Sequence, residues 1–404
     1  MLTNGFALFK GEGSASLAQD AARRVRRYAR EVMVETDGEF VEVDSARLSE
    51  DEVALAFSLE KGGLPLVHGY MNSEGAFPVG EFSMLGREAG GLYGARDPIG
   101  TRGLWLVREG PNAGSLSSDY RLLSGGTLLP PGTVYGKGGA RKVKGGRGEP
   151  RGAAPSFEEA AETLASLVDE SVGRRVLGQR RVAVSFSGGL DSSLLAMVAA
   201  KHAEVVLCSA YAPGSKDEKQ TARAADLLGL RLETALLDEE SLGARSRDAV
   251  LPPGKASAMD YALWCIFSTT SELAKRAKAS MILLGQLADE LFGGYRKYAA
   301  AAQEEGEVAA ERMMRDDVRA CAERGFLRDE AACSASCEVR FPYADAEIDS
   351  FAARLPLDYK IRGGKRKAVL RAAALELDLP EELAGAPKKA AQFSSGAAKL
   401  LGRQ

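Results

Sequence analysis

The stretch 181–193, RVAVSFSGGLDSS, constrains the fold more than any other part of this chain. Residues 181–186 alternate and carry β-branched Val182 and Val184, the pattern of a short buried strand, and LDSSLLAMVAAKHA after them places apolar residues at helical spacing. Between the two lies Ser187-Gly188-Gly189. A strand that turns on Ser and Gly straight into a helix start aims free backbone N–H groups and the positive end of the helix dipole at one point, which attracts an anion. Gly188 and Gly189 permit conformations and close approach that a Cβ would obstruct, and Asp191 sets a carboxylate beside the nest, suited to a magnesium ion shared with phosphate. Taken alone, the turn also fits an ordinary strand–helix connection with Asp191 as a cap.

At 404 residues the chain has room for two domains, each with its own core. Its 56 acidic and 53 basic residues balance, so overall charge calls for neither nucleic acid nor a membrane surface. No run approaches the length of an apolar membrane span, and MLTNGFALFKGEG lacks the pattern of a signal peptide, so a cytoplasmic protein is expected. Five cysteines without a CxxC pair argue against a disulfide framework; Cys321, Cys333 and Cys337 read as small buried hydrophobes, with a metal cluster as the lesser reading. With His68 and His202 the only histidines, triad and His-zinc chemistry are poorly supported.

Residues 1–136 read as a mixed α/β domain: a strand over 5–10, a helix over 16–34 with a basic exposed side (Arg23, Arg24, Arg26, Arg27, Arg30), then short strands up to Tyr135. Turn chemistry marks Arg96-Asp97-Pro98-Ile99-Gly100 and Pro130-Pro131-Gly132. Residues 137–155 are rich in Gly, Lys and Arg without periodicity, which reads as a linker or loop, a nucleic-acid contact being the lesser reading. From 156 to 404 strands alternate with helices: helix 157–178, strand 181–186, helix 191–202, strand 204–211, helix 216–228, strand 231–236, a helical region 259–279, strand 281–284, then mainly helix. That alternation implies a parallel sheet with ligands at the carboxyl ends of its strands. MILLGQLADELFGGY repeats the first motif's arrangement: a buried strand, a turn at Gly285, and a helix opened by Asp289 and Glu290. Asp289 would join Asp191 at the same sheet edge, although an acidic helix start explains it equally well in isolation.

SGGLDSS resembles the pyrophosphate-binding loop of ATP pyrophosphatases that make acyl-adenylates, in the form found in asparagine synthetases and β-lactam synthetases. ADELFGGY, CEVRFPYAD, KAVLRAA and APKKAAQFSSG resemble that family's later motifs in the same order, and the resemblance covers about residues 160–400. It implies ATP and Mg2+ as cofactors, with Ser187, Gly188, Gly189, Leu190, Asp191, Ser192, Ser193, Leu207 and Gly285 around the nucleotide, and Asp191 and Asp289 on the metal. Lys388 is the cation implied near the adenylate, with Lys389 as the alternative. LYGARDPIGTRGLWLV and the PPG turn resemble the second half of a class-II glutaminase domain, an Ntn-hydrolase fold of α+β type. That glutaminase needs a cysteine directly after the initiator methionine; position 2 is Leu2, and no cysteine precedes Cys208, so a degenerate domain is expected.

Where the family turn reads G-E-G, this chain has Gly285-Gln286-Leu287. A neutral amide positions groups by hydrogen bonds but is no base near neutral pH. Three accounts stand: the amine arrives neutral, another carboxylate such as Glu290 or Glu338 substitutes, or the substrate is not aspartate, with bulky Leu287 reshaping the acceptor pocket. The resemblance implies an AMP-forming, amide-forming ligase taking a small-molecule carboxylate and ammonia or an amine. A separate ammonia-supplying amidase and a homodimer stay open as partners. A tRNA-modifying adenylating enzyme and a non-catalytic ATP-binding relative are the rival readings.

Overall fold

The computed structural model describes residues 5–10, 14–25, 32–36, 39–42, 52–57, 65–72, 79–88, 91–110, 113–123, 125–143, 155–386 and 395. The chain divides into two compact units, Met1–Gly145 and Gly146–Gln404.

In the first unit two antiparallel sheets, of seven and five strands among the described residues, bury their facing sides against each other. Gly5–Lys10 pairs with Glu52–Phe57 and with Leu116–Ser117, and its Phe6 and Leu8 meet Leu66, Leu85 and Leu92 of the other sheet in one apolar core. The helix is shorter than the sequence pattern suggests: it spans Ser14–Val25, and Val32–Thr36 is a strand paired with Glu52–Phe57. Valines at 32 and 34 favour the pleated surface over a helix, so their β propensity outweighs the preceding helical pattern. The start of the Gly/Lys/Arg-rich stretch is also structured. Thr133–Gly136 and Gly139–Lys142 form a hairpin closed by Lys137 and Gly138, with Gly139 at φ +83°, so Gly residues read as linker are there a turn; residues 144–154 lie outside the described set.

The RDPIG turn is tied by buried polar groups. Asp97 accepts from the amides of Ile99 (2.9 Å), Gly100 (2.6 Å) and Thr101 (2.9 Å) and from the Thr101 hydroxyl (2.9 Å). Arg96, wholly buried, donates to the carbonyls of Arg102, Leu129 and Gly100. Both side chains are thereby used in holding the turn.

The second unit is a five-stranded parallel sheet with helices. We label β1 Arg181–Ser185, β2 Glu204–Tyr211, β3 Arg231–Leu236, β4 Met281–Leu283 and β5 Glu338–Arg340; the order across the sheet is β3-β2-β1-β4-β5. The helices that position the site are α1 Leu190–Ala200, α2 Lys216–Leu228, α3 Ala258–Arg276, α4 Ala288–Phe292, α5 Phe326–Cys333 and α6 Ala368–Glu376. The strand order reverses between β1 and β4, and by the right-handed crossover rule the helices that follow β1 and β2 belong on the opposite face from those leading back to β4. Val182, Ala183 and Val184 are fully buried, which explains why β1 reads so clearly as a strand. The edge strand β5, within a region expected to be mainly helical, is three residues long, too short to show a period.

Candidate active site

The loops after β1 and β4 flank the point where the strand order reverses, and a cleft of about 770 Å³ opens there. After β1 the chain passes through Ser187 and Gly188 to Gly189, which precedes α1 without any side-chain cap, so the first amides of α1 stay available to an anion. Gly188 has φ +66°, and a Cβ there would come within 2.9 Å of the Gln220 carbonyl oxygen. Gln220, on α2, in turn donates from Nε2 to the Gly188 carbonyl (3.1 Å). Ser192 Oγ lies 3.3 Å from the Ser187 amide and hydroxyl, bracing the loop across its mouth. Ser187, Gly189, Leu190, Asp191 and Ser192 line the cleft, while Ser193 is buried behind it.

Gly285, after β4, packs directly on Asp191: an added Cβ would lie 3.2 Å from Asp191 Cβ. The two expected carboxylates come together. Lys367 Nζ sits 2.6 Å from both oxygens of Asp191 and 2.7 Å from Asp289 Oδ1. The lysine is 1% exposed; burial by itself would lower its pKa, but the charges of Asp191 and Asp289 outweigh that and hold it above the ordinary lysine value. Sequence reasoning misses Lys367 as a site residue, although it opens the KAVLRAA motif.

Glu290, next along α4, is buried and accepts from the Tyr295 hydroxyl at 2.8 Å; burial first, and the Asp289 charge second, push its carboxyl up to about 7. Gln286 also lines the cleft, and its Nε2 donates to Asp329 Oδ2 on α5. Asp329 is wholly buried and takes Arg328 Nε at 2.7 Å, while Arg328 Nη1 reaches Asp260 at 3.1 Å. Burial pushes the Asp329 carboxyl up, against the adjoining guanidinium. Asp260 is held below the usual carboxylate range because the Ser257 amide and hydroxyl and Arg328 outweigh its burial.

Three expectations are corrected. Leu207 lies in the middle of β2, fully buried opposite Val184 and Leu232, and is a core residue; Ser209 and Ala210, nearer the strand's carboxyl end, line the cleft instead. Glu338 is the first residue of β5, opposite Met281, and pairs with Arg340 at 2.8 Å; in a parallel sheet that is the end away from the cleft, so it cannot replace a site carboxylate. Leu287 is buried with φ +78° and does not line the cleft, so it does not narrow an acceptor pocket. Lys388 and Lys389 lie outside the described residues, but Ala386 and Ser395 both line the cleft, and Arg371 holds the Ala384 and Ala386 carbonyls. Cys333 and Cys337 face the α3 carbonyls of Phe267 and Ser271, while Cys321 lines the cleft.

Asp191 and Asp289 are the carboxylates a magnesium ion would use, with substrate phosphates completing its shell, and since the Lys367 ammonium lies 2.6–2.7 Å from both Asp191 oxygens and Asp289 Oδ1, the ion would share these carboxylates with the lysine or displace it. The Asparagine synthase family matches residues 163–324 and 302–403 of the chain. A Methanocaldococcus jannaschii protein bearing the name asparagine synthetase [glutamine-hydrolyzing] 1 is 30% identical over 279 residues, 61% of this chain and 51% of its own. The human asparagine synthetase [glutamine-hydrolyzing] is 28% identical over 264 residues, 60% of this chain and 45% of its own, so the matched part spans about half the length of these relatives. Among solved structures, the NMN synthetase from Francisella tularensis aligns with 60% of this chain and 79% of its own at 12% identity and a TM-score of 0.31. With the matched segments running through the loops that carry Asp191, Gln286, Asp289 and Lys367, the chain belongs to the asparagine synthase family.

Proposed function

We propose that the protein is an ATP-dependent, amide-forming ligase that works through an acyl-adenylate, releases AMP and pyrophosphate, and uses ammonia or an amine rather than its own glutaminase. The observation that carries this reading is the joining of Asp191 and Asp289, from the ends of neighbouring strands, through Lys367 beside the uncapped amides of α1.

A substrate carboxylate oxygen bonds to the α-phosphorus of ATP as the bond to the bridging oxygen of pyrophosphate breaks. The α1 amides and the Ser187 and Ser192 hydroxyls border the cleft and would take up the charge that the departing phosphates gain, with Lys367 as a buried cation beside them. Asp191 and Asp289 are the residues that would hold magnesium, which supplies charge neutralisation on the phosphates. The amine nitrogen then attacks the acyl carbon, the bond to the phosphate oxygen breaks, AMP departs, and the nitrogen loses a proton. From the sequence, Lys388 is proposed as a second cation at the adenylate.

Carboxylate-dependent ATP–pyrophosphate exchange across a panel of acids tests the reading, and at least one acid is expected to support it. Asp191→Asn and Asp289→Asn should each lower exchange by about a hundredfold or more with the circular dichroism spectrum unchanged, the scale for loss of preorganised electrostatic stabilisation. A folded variant close to the parent's rate would remove that residue from the site.

A further inference from the structure

We infer that Gln286 orients the amine nucleophile with its side-chain oxygen, and that Asp329 is the positioning residue that turns this oxygen toward the cleft. The inference rests on the ligase reading above and names how the same site receives its second substrate.

A glutamine amide offers two different ends, and which one faces a ligand depends on what the other is bonded to. Asp329 pairs with Arg328 at 2.7 Å and, as a carboxylate, can only accept. Gln286 therefore gives it Nε2 and keeps Oε1 for the cleft. The arrangement is braced from behind: Arg328 is shared with Asp260, and Asp260 receives the Ser257 amide and hydroxyl at 2.8 Å each. Each contact in this chain has a fixed donor and a fixed acceptor, so rotating the Gln286 amide would put its oxygen against a carboxylate.

An acceptor oxygen three residues before Asp289 is poorly matched to most of what the reaction brings. Phosphates, pyrophosphate and the substrate carboxylate present oxygens, which an amide oxygen repels. The amine is the reactant that brings N–H groups to the reacting carbon. Donating one N–H to Oε1 aims the nitrogen lone pair elsewhere, and since the amide takes no proton, the amine must reach it already neutral. The amino and hydroxyl groups of the nucleotide are the competing donors, and the experiment separates them.

The full chain is assayed with the acid that gives the strongest exchange and with hydroxylamine as the amine probe, reading hydroxamate formation. In both Gln286→Met and Asp329→Asn, half-saturating hydroxylamine should rise about tenfold, the equivalent of one well-placed hydrogen bond, while half-saturating ATP in exchange moves less than about twofold. Gln286→Met leaves the Arg328–Asp329 pair in place and carries the test if Asp329→Asn does not fold. A rise in half-saturating ATP that matches or exceeds the rise for hydroxylamine assigns Gln286 to the nucleotide and overturns the inference, as does an unchanged dependence on hydroxylamine. If no acid supports exchange in the parent protein, the ligase reading itself fails and the inference falls with it.

Discussion

At Lys367 the backbone is left-handed, φ +59°, and the ammonium is buried, so replacing it with an apolar side chain removes the cation that bridges Asp191 and Asp289 and leaves the guanidiniums of Arg371 and Arg366 to act on their charges. Breaking a buried ion pair from one side costs about 3–5 kcal/mol, and because both carboxylates keep some exposure, Lys367→Met should fall near the lower end, about 3 kcal/mol by urea unfolding. Magnesium should stabilise this variant more than the parent, since the cation then meets two carboxylates that no lysine occupies. The pH dependence has a definite sign. With its folded pKa raised above the ordinary 10.5, Lys367 contributes stability that is complete below that value and is lost as pH rises through the folded pKa. The parent should therefore lose stability on the alkaline side in a way that Lys367→Met does not, and parallel pH profiles would show that the pair is not coupled to folding. Gln286→Glu behaves differently. It sets a carboxylate against buried Asp329, so one of the two must stay protonated or the loop must move, and the variant should lose amide formation rather than gain a base.

The element that follows β4 shows how local geometry and packing compete. Leu287 precedes α4 at φ +78°, a conformation that costs a residue with a Cβ about 1–2 kcal/mol and that glycine adopts freely. Its side chain is nevertheless buried, and removing a buried leucine costs about 2–5 kcal/mol. Packing outweighs strain: Leu287→Gly should be destabilised by about 1–3 kcal/mol despite the relief at the backbone, and a variant as stable as the parent would mean that strain dominates. The same balance explains what could be read from the sequence. β1, β2, β3 and the helices between them were legible to within about two residues because buried strands and amphipathic helices carry strong periods. β5 and the second strand of the hairpin, Gly139–Lys142, were not, since their pairing is set by neighbours distant in sequence or by turn glycines that composition also permits in a linker; the first strand, Thr133–Gly136, falls among the short strands expected up to Tyr135. Asp191 and Asp289 could be brought together from motif order alone. Lys367 could not, because its place between them depends on how α6 returns to the sheet; Leu207 was misplaced because it sits midway along β2, short of the carboxyl end where ligands are expected, and Glu338 because β5 was not read as a strand.

For the whole molecule, the question is whether the first unit supplies nitrogen to the second. Hydrolysis of glutamine by a class-II amidotransferase requires a thiol nucleophile, and no cysteine occurs between Met1 and Cys208. The polar groups that the RDPIG turn could offer a substrate are committed as well: Asp97 accepts from four amides and a hydroxyl, and burial pushes its carboxyl up, while Arg96 spends its guanidinium on three carbonyls. These contacts account for the turn on structural grounds alone, because removing any partner would leave a buried polar group unsatisfied, at about 1–3 kcal/mol each. Purified protein incubated with glutamine should therefore release no glutamate above background, and with ATP and a competent acid, glutamine should support less amide formation than ammonium at equal concentration. Asp97→Asn, which weakens the turn by replacing one acceptor oxygen with a donor, should lower the stability of the first unit and leave the ratio of the two nitrogen donors unchanged. Glutamate release by the parent at a rate matching amide formation would show that the first unit retains a nucleophile other than a thiol.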